Sequence, residues 1–296
     1  MKIELVLGIL ATFVGLGGCA GEGSEGSEPA TGTDDIIAGT QVSQEEYDAK
    51  YPWMLAFANN GNVPMHDEFF NQSNVACGAE LVAADWVLTA AHCVTEEGGQ
   101  SIDPRPIRFA RGSVRTTEMS NRFRASEVHV HPRYDAASQN FDVALVRLRE
   151  PQPPPFAKLA AVTEESLSAT VIGWGNVRKQ FANRPGGFKQ PKQIRKAELD
   201  IMAQAECREM YSSRLSITPN MVCATGVGRG TNSKTSDSCQ GDSGGPLIVE
   251  GAGGPAVVGV VSFGIGCGVD RFPGVYARVD GKNGEWIQRC MAGDCS

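Results

Sequence analysis

The sequence is short of positive charge and of histidine. Its 27 Lys and Arg stand against 34 Asp and Glu, for a net charge of −7. That leaves no electrostatic footprint for nucleic acid or an anionic membrane surface. There are four histidines, so imidazole chemistry has to come from His66, His92, His129 or His131. No internal repeat is apparent. Beyond the first residues, no stretch is long and apolar enough to cross a membrane.

What is present suits an exported globular chain. Apolar residues make up 41% and charged residues 21% of 296 residues, enough for one large or two small cores. The 35 glycines favour a loop-rich, mostly β fold. Short β-branched runs bordered by turn residues read as strands, among them Trp53–Phe57, Glu80–Val82, Trp86–Thr89, Val143–Val146, Thr170–Ile172, Val257–Val261 and Gly274–Val279. Gly284–Met291 reads as a helix, with Trp286, Ile287 and Cys290 on one side. Pro151–Pro155 cannot lie inside a strand and divides the chain into two halves.

Met1–Lys2 and the apolar run from Leu5 to Leu16 read as an export signal, too short to span a bilayer. Leu16-Gly17-Gly18-Cys19 resembles a bacterial lipobox, in which Cys19 would carry lipid; cleavage after Ala20 is the alternative. Nine cysteines leave one over if the protein is oxidised, and setting Cys19 aside leaves eight that can pair. Residues 20–35, rich in Gly, Ser, Glu and Pro, read as a disordered tether or propeptide. The expected organisation is therefore signal 1–19, tether 20–35 and a folded domain 36–296.

The sharpest chemical signal is the segment Asp237-Ser238-Cys239-Gln240-Gly241-Asp242-Ser243-Gly244-Gly245-Pro246. A serine hydroxyl attacks a carbonyl only with a base to take its proton and donors to hold the resulting oxyanion. Glycines beside Ser243 permit a tight turn whose N–H groups, from Gly241 and Ser243, converge on one point. His92, in Leu88-Thr89-Ala90-Ala91-His92-Cys93, follows a strand and is fixed by a neighbouring cysteine. His66 falls in a polar loop-like stretch, and His129 and His131 read as surface or locally bonded. Asp142 opens an apolar strand, where an acid needs a partner. By itself it would pass for a turn residue.

Taken together, and in the order His, Asp, Ser, these segments resemble the trypsin/chymotrypsin family. Further matches are Tyr51-Pro52-Trp53, His131-Pro132-Arg133-Tyr134, Gly173-Trp174-Gly175, Asn220-Met221-Val222-Cys223-Ala224 and Pro273-Gly274-Val275-Tyr276, so the resemblance runs from Ile36 to about Gln288. It implies an all-β fold of two six-stranded antiparallel barrels with a C-terminal helix and an active site in the cleft between them. It implies a triad of His92, Asp142 and Ser243, and an oxyanion hole at Gly241 and Ser243. It also implies disulfides Cys77–Cys93, Cys207–Cys223 and Cys239–Cys267; Cys290 and Cys295 remain and would pair across a C-terminal turn. Asp237 would form the floor of the specificity pocket, Gly264 and Gly274 its walls, and Ser262 and Gly264 would bond the substrate backbone. The implied activity is endopeptidase cleavage after Arg or Lys through an acyl-enzyme, with protein or peptide substrates, no cofactor and a monomeric state.

Several departures matter. Phe263 stands where the family most often has Trp, which points to altered subsite preference. The stretch from Asn59 to Asn74 is long and would cover one rim of the cleft. The segment matching the family's calcium loop lacks its acidic ligands, so no metal is expected. Ile36-Ile37-Ala38-Gly39 looks like the family's new N-terminus after zymogen cleavage, with the Ile36 ammonium pairing with Asp242. Here Asp35 precedes the cut, so an Asp237-floored enzyme would need another protease to activate it. The rival expectation is a non-catalytic homologue serving as a binding module.

Overall fold

The computed structural model describes residues 36–37, 39–59, 75–96, 99–162, 168–178, 189–226, 236–269 and 272–296. Cys19, the tether, Asp35, His66 and most of the 59–74 stretch lie outside them. Among the described residues, no helix is long and apolar enough to cross a membrane.

The first barrel is built from β2 (Met54–Asn59), β3 (Cys77–Ala83), β4 (Trp86–Thr89), β5 (Ile107–Arg111), β6 (Asn121–Val130) and β7 (Ala144–Leu148). Their antiparallel pairings close in the order β2-β3-β4-β7-β6-β5. The second uses β9 (Ser168–Gly173), β10 (Arg195–Ile201), β11 (Met221–Gly226), β12 (Pro246–Gly251), β13 (Gly254–Phe263) and β14 (Gly274–Arg278). The pairing of β9 with β10 closes that ring. Closure leaves no free edge in either sheet. Two short strands decorate the second barrel: β1 (Thr40–Gln41) on β10, and β8 (Lys158–Leu159) parallel to β13. The two-barrel expectation holds, with the proline-rich segment between them.

The chain ends cross over. Residues 36–41 attach to the second barrel before the chain enters the first, with Ile37 bridged to Asp237 and Thr40 paired with Lys196. Helix α1 (Gln44–Lys50) follows, its first turn capped by Ser43 Oγ accepting from Glu46 N–H at 3.1 Å. Helix α2 (Gln204–Tyr211) lies on the second barrel. Helix α3 (Gly281–Met291) begins three residues earlier than the sequence pattern suggested and returns to the first barrel, where Trp286, Ile287 and Cys290 join the core. His131 packs on Trp286 at 5.0 Å between ring centroids, buried rather than on the surface.

The disulfides are Cys77–Cys93, Cys207–Cys223, Cys239–Cys267 and Cys290–Cys295. A bridge closing a loop of 16 residues, as at Cys77–Cys93, removes about 3 kcal/mol of unfolded-chain entropy.

One side chain breaks the apolar pattern of β3. Glu80 is fully buried and, among the described residues, neither carboxyl oxygen has a hydrogen-bond partner. It follows Gly78 by two residues, so both point to the same face, the one where Gly78 meets Gly245 of the second barrel. Burial pushes the Glu80 carboxyl well above its ordinary range. The unfolded chain releases this proton near pH 4.5 while the folded chain keeps it, so stability falls as pH rises above that point. Glu80→Met, which removes both stranded oxygens, should therefore raise the thermal midpoint, with a gain at about pH 8 several degrees larger than at about pH 4. Calorimetry across that range is the check; an equal effect at both pH values would show that Glu80 is ionised or solvated in the fold.

Candidate active site

His92 lies in a single 3-10 turn, Ala91–Val94, directly after β4, and the Cys77–Cys93 bridge ties this turn to the start of β3. Asp142 holds it by two bonds. The His92 backbone N–H donates to Asp142 Oδ1 at 2.9 Å, and ring Nδ1 meets Oδ2 at 2.8 Å. A carboxylate only accepts, so Nδ1 carries the proton and the neutral ring leaves Nε2 as an acceptor. Ser262 Oγ, from the second barrel, donates to the same Oδ2. Asp142 is wholly buried, whereas the His92 side chain is 27% exposed, so the imidazole is anchored inside and open outside. Burial alone would lower the His92 pKa, but the charge and hydrogen bond of Asp142 outweigh it and leave it above 6.5.

Ser243 sits on a turn of the second barrel that is fastened to both barrels. Its carbonyl accepts from Gly78 N–H at 2.7 Å, and Gly244 N–H bonds Val261 O at 2.8 Å. A Cβ on Gly78 would fall 2.8 Å from Gly245 Cα, so only glycine lets these backbones touch. Gly78 follows Cys77, and the same bridge that fixes the His92 turn therefore fixes the strand against which the serine turn rests. The Ser243 hydroxyl is not hydrogen-bonded to His92; such contacts are often long in a free site and tighten when substrate binds. Among the described residues, the N–H groups of Gly241 and Ser243 have no protein acceptor.

Asp242, the next residue back, points inward. Its oxygens accept from Gly175 N–H at 2.7 Å and Cys239 N–H at 2.9 Å. It occupies the space a side chain would need: a Cβ on Gly173 or Gly175 would lie 2.1 Å or 2.3 Å from its carboxyl atoms. The Gly-Trp-Gly motif is thus explained by the carboxylate between its glycines. Fully buried, Asp242 is pushed up to about 7. Ile36 is also fully buried, and Ile37 packs on the Cys239–Cys267 bridge beside it.

Beside Ser243 opens a cavity of about 190 Å³ lined by Asp237, Ser262, Phe263, Gly264 and Gly274. Asp237 is 6% exposed. One oxygen accepts from Gly268 N–H at 2.8 Å, and the other, Oδ1, has no partner among the described residues. Burial raises its pKa to about 7 despite that bond. A Cβ on Gly274 would come within 2.9 Å of Oδ1, so glycine avoids crowding it. Phe263 sets its ring edge-on against Tyr211 at 6.0 Å.

Of the residues singled out in the sequence, Asp237, Ser243, Ser262, Gly264 and Gly274 line one cavity. His92 is joined to them through Asp142, which bonds both it and Ser262. Sequence reasoning overlooked Gly78, whose only signal is its place after a bridging cysteine, and Asn140, two residues before Asp142. His129 bonds Glu127 at 3.0 Å and His131 Nδ1 accepts from Arg133 N–H, both local pairings. Among the described residues, two His/Cys groups come within metal-ligand range, Cys77/His92/Cys93 and His129/Cys290/Cys295, but their cysteines are disulfide-bonded and offer no thiolate.

The sequence matches the Trypsin family model over residues 37–287. It is 35% identical to a trypsin of Simulium vittatum over 68% of this chain and 75% of that protein. A venom peptide isomerase heavy chain of Agelenopsis aperta is 31% identical over 81% of this chain and 95% of its own. Trypsin 5G1 of Aedes aegypti is 30% identical over 96% and 97% of the two chains.

In an NMR titration, His92 should show a midpoint above 6.5, and Asp142→Asn should bring it below 6.5, because the opposing charge goes and burial stays. An unchanged midpoint would mean that Asp142 does not govern the imidazole.

Proposed function

This chain belongs to the trypsin family of serine endopeptidases, and from that premise we propose that it cleaves polypeptides after Arg and Lys. The observation that carries the specificity is the stranded Oδ1 of Asp237 at the buried end of the cavity. A guanidinium or ammonium supplies the donors and charge that oxygen lacks, whereas an apolar side chain leaves it stranded.

In this reading Ser243 Oγ attacks the scissile carbonyl while His92 Nε2 takes its proton. Asp142 keeps the proton on Nδ1 and stabilises the imidazolium. The carbonyl oxygen, now negative, enters the space before the Gly241 and Ser243 N–H groups, which no protein acceptor among the described residues occupies. His92 returns the proton to the leaving amine, and water then repeats the sequence on the acyl-enzyme.

We further propose that the enzyme is exported as a precursor and activated by cleavage before Ile36. In the intact chain Ile36 is held at φ +32°, a conformation costing a β-branched residue on the order of 1–2 kcal/mol. Asp242 meanwhile has two backbone donors but, among the described residues, no cation to hold its charge. Cutting there frees the backbone and creates an ammonium for Asp242. Asp35 before the cut is repelled by Asp237, so a second protease with acidic preference is the activator. If Cys19 carries lipid, the same cut frees the domain from the membrane; active enzyme still joined to a lipidated Cys19 peptide would sink that idea.

Peptides ending in Arg and Lys should be cleaved and those ending in Phe or Glu left intact, with Ser243→Ala as the blank. Asp237→Ser should lower kcat/KM for Arg peptides by on the order of 10⁴-fold. Comparable cleavage after Phe would refute the basic-pocket reading. Cation binding requires ionised Asp237, so KM for Arg peptides should rise as pH falls below about 7. A KM independent of pH across that value would show that Asp237 stays ionised there despite its burial.

A further inference from the structure

Asp142 is presented by a short loop whose backbone is strained. Residues 135–140 close on themselves, with Asp135 N–H bonded to Asn140 O at 3.0 Å. Gln139 and Phe141, on either side of Asn140, have φ of +56° and +58°. Non-glycine residues in the left-handed region are strained and persist only where the surroundings fix them. The Phe141 ring is fixed within its own barrel, stacked on His131 at 4.5 Å and covered by the Arg133 guanidinium at 4.3 Å. Asn140 is fixed from the other barrel. Its Oδ1 accepts from Thr218 Oγ1 at 2.8 Å and from Asn220 Nδ2 at 3.0 Å.

Those donors are themselves held. Thr218 Oγ1 accepts from Asn220 N–H at 3.3 Å, and Asn220 O accepts from Arg278 N–H at 2.9 Å. Asn220 leads into β11, which pairs with β14, the strand whose first residue, Gly274, borders Asp237. A continuous set of hydrogen bonds thus runs from the strands behind the specificity cavity to the residue two before Asp142.

From this geometry we propose that Asn140 is a positioning residue, a latch between the barrels that holds the strained loop so that Asp142 meets His92. It acts through Asp142 and touches no substrate, and it rests on the proposed role of Asp142, not on the Arg/Lys preference. Removing the acceptor oxygen lets Gln139 and Phe141 relax and draws the Asp142 carboxylate away from the imidazole. Misplacement of about 1 Å in such a group lowers rates by up to about 100-fold.

The test is the rate at which an organofluorophosphate phosphorylates Ser243, with loss of fluoride, in the full chain after cleavage before Ile36, because that reagent needs no specificity pocket. Asn140→Ala should slow it on the order of 10- to 100-fold. Asn140→Asp, which keeps the acceptor oxygen, should retain most of the rate, and Thr218→Val should fall between. On Arg peptides the loss should appear in kcat, with KM little changed. The His92 NMR midpoint should fall in Asn140→Ala, a change that a general loss of stability would not produce. If Asn140→Ala lowers the thermal midpoint but leaves rate and His92 midpoint intact, the latch is structural only and the inference is overturned. If Asp142→Asn also leaves the rate intact, the role of Asp142 falls with it.

Discussion

The active site depends on the place where two barrel backbones touch, Gly78 N–H on Ser243 C=O. Each barrel closes on itself and has no edge to offer the other, so they can be joined only face to face. At Gly78 and Gly245 the faces come together without side chains between them. That closeness brings a serine turn from one barrel beside a histidine turn from the other. The Cys77–Cys93 bridge makes the contact stiff, since it ties the same strand to the histidine turn. Crossing of the chain ends adds to it, with residues 36–41 on the second barrel and helix α3 on the first.

Four buried acids show how the same chemical problem is answered in graded ways. Asp142 has three donors, two of them from His92. Asp242 has two backbone donors and waits for a cation, which in the proposed scheme is a new N-terminus. Asp237 has one donor and one buried oxygen without a partner among the described residues, and in the proposed scheme a basic side chain supplies what it lacks. Glu80 has none among the described residues, and burial pushes its carboxyl toward the neutral form. The fewer donors the protein itself supplies, the more each acid depends on something from outside or on staying neutral.

Much of this is legible in the order of the residues. The strands around Trp86–Thr89 and Gly274–Arg278 are short β-branched runs between turn residues, and they form where the pattern puts them. The His92, Asp142 and Ser243 segments can be read because catalysis needs particular atoms in particular turns, and those turns need particular neighbours. Helix α1 and the strands β5 and β6 are harder: Arg108, Arg122 and Arg124 interrupt the apolar alternation, and their register comes from pairing across the barrel. Glu80 reads as an ordinary strand residue, because nothing local reveals that the second face of β3 is covered by another barrel.

The sequence by itself determined the family and the cleavage chemistry to test, because those reside in local strings whose atoms must be present for the chemistry to work; the cysteine pairs were only implied by the resemblance, and the fold decided them. The tertiary structure alone decided that Gly78 braces Ser243, that Gly173 and Gly175 make room for Asp242, and that Asn140 reaches Thr218 and Asn220. The bond from Gly175 to Asp242 already spans 67 positions of the chain, and those of Asn140 span 78 and 80. A hydrogen bond across such a separation leaves no period or spacing in the sequence, since its geometry exists only once both barrels have closed.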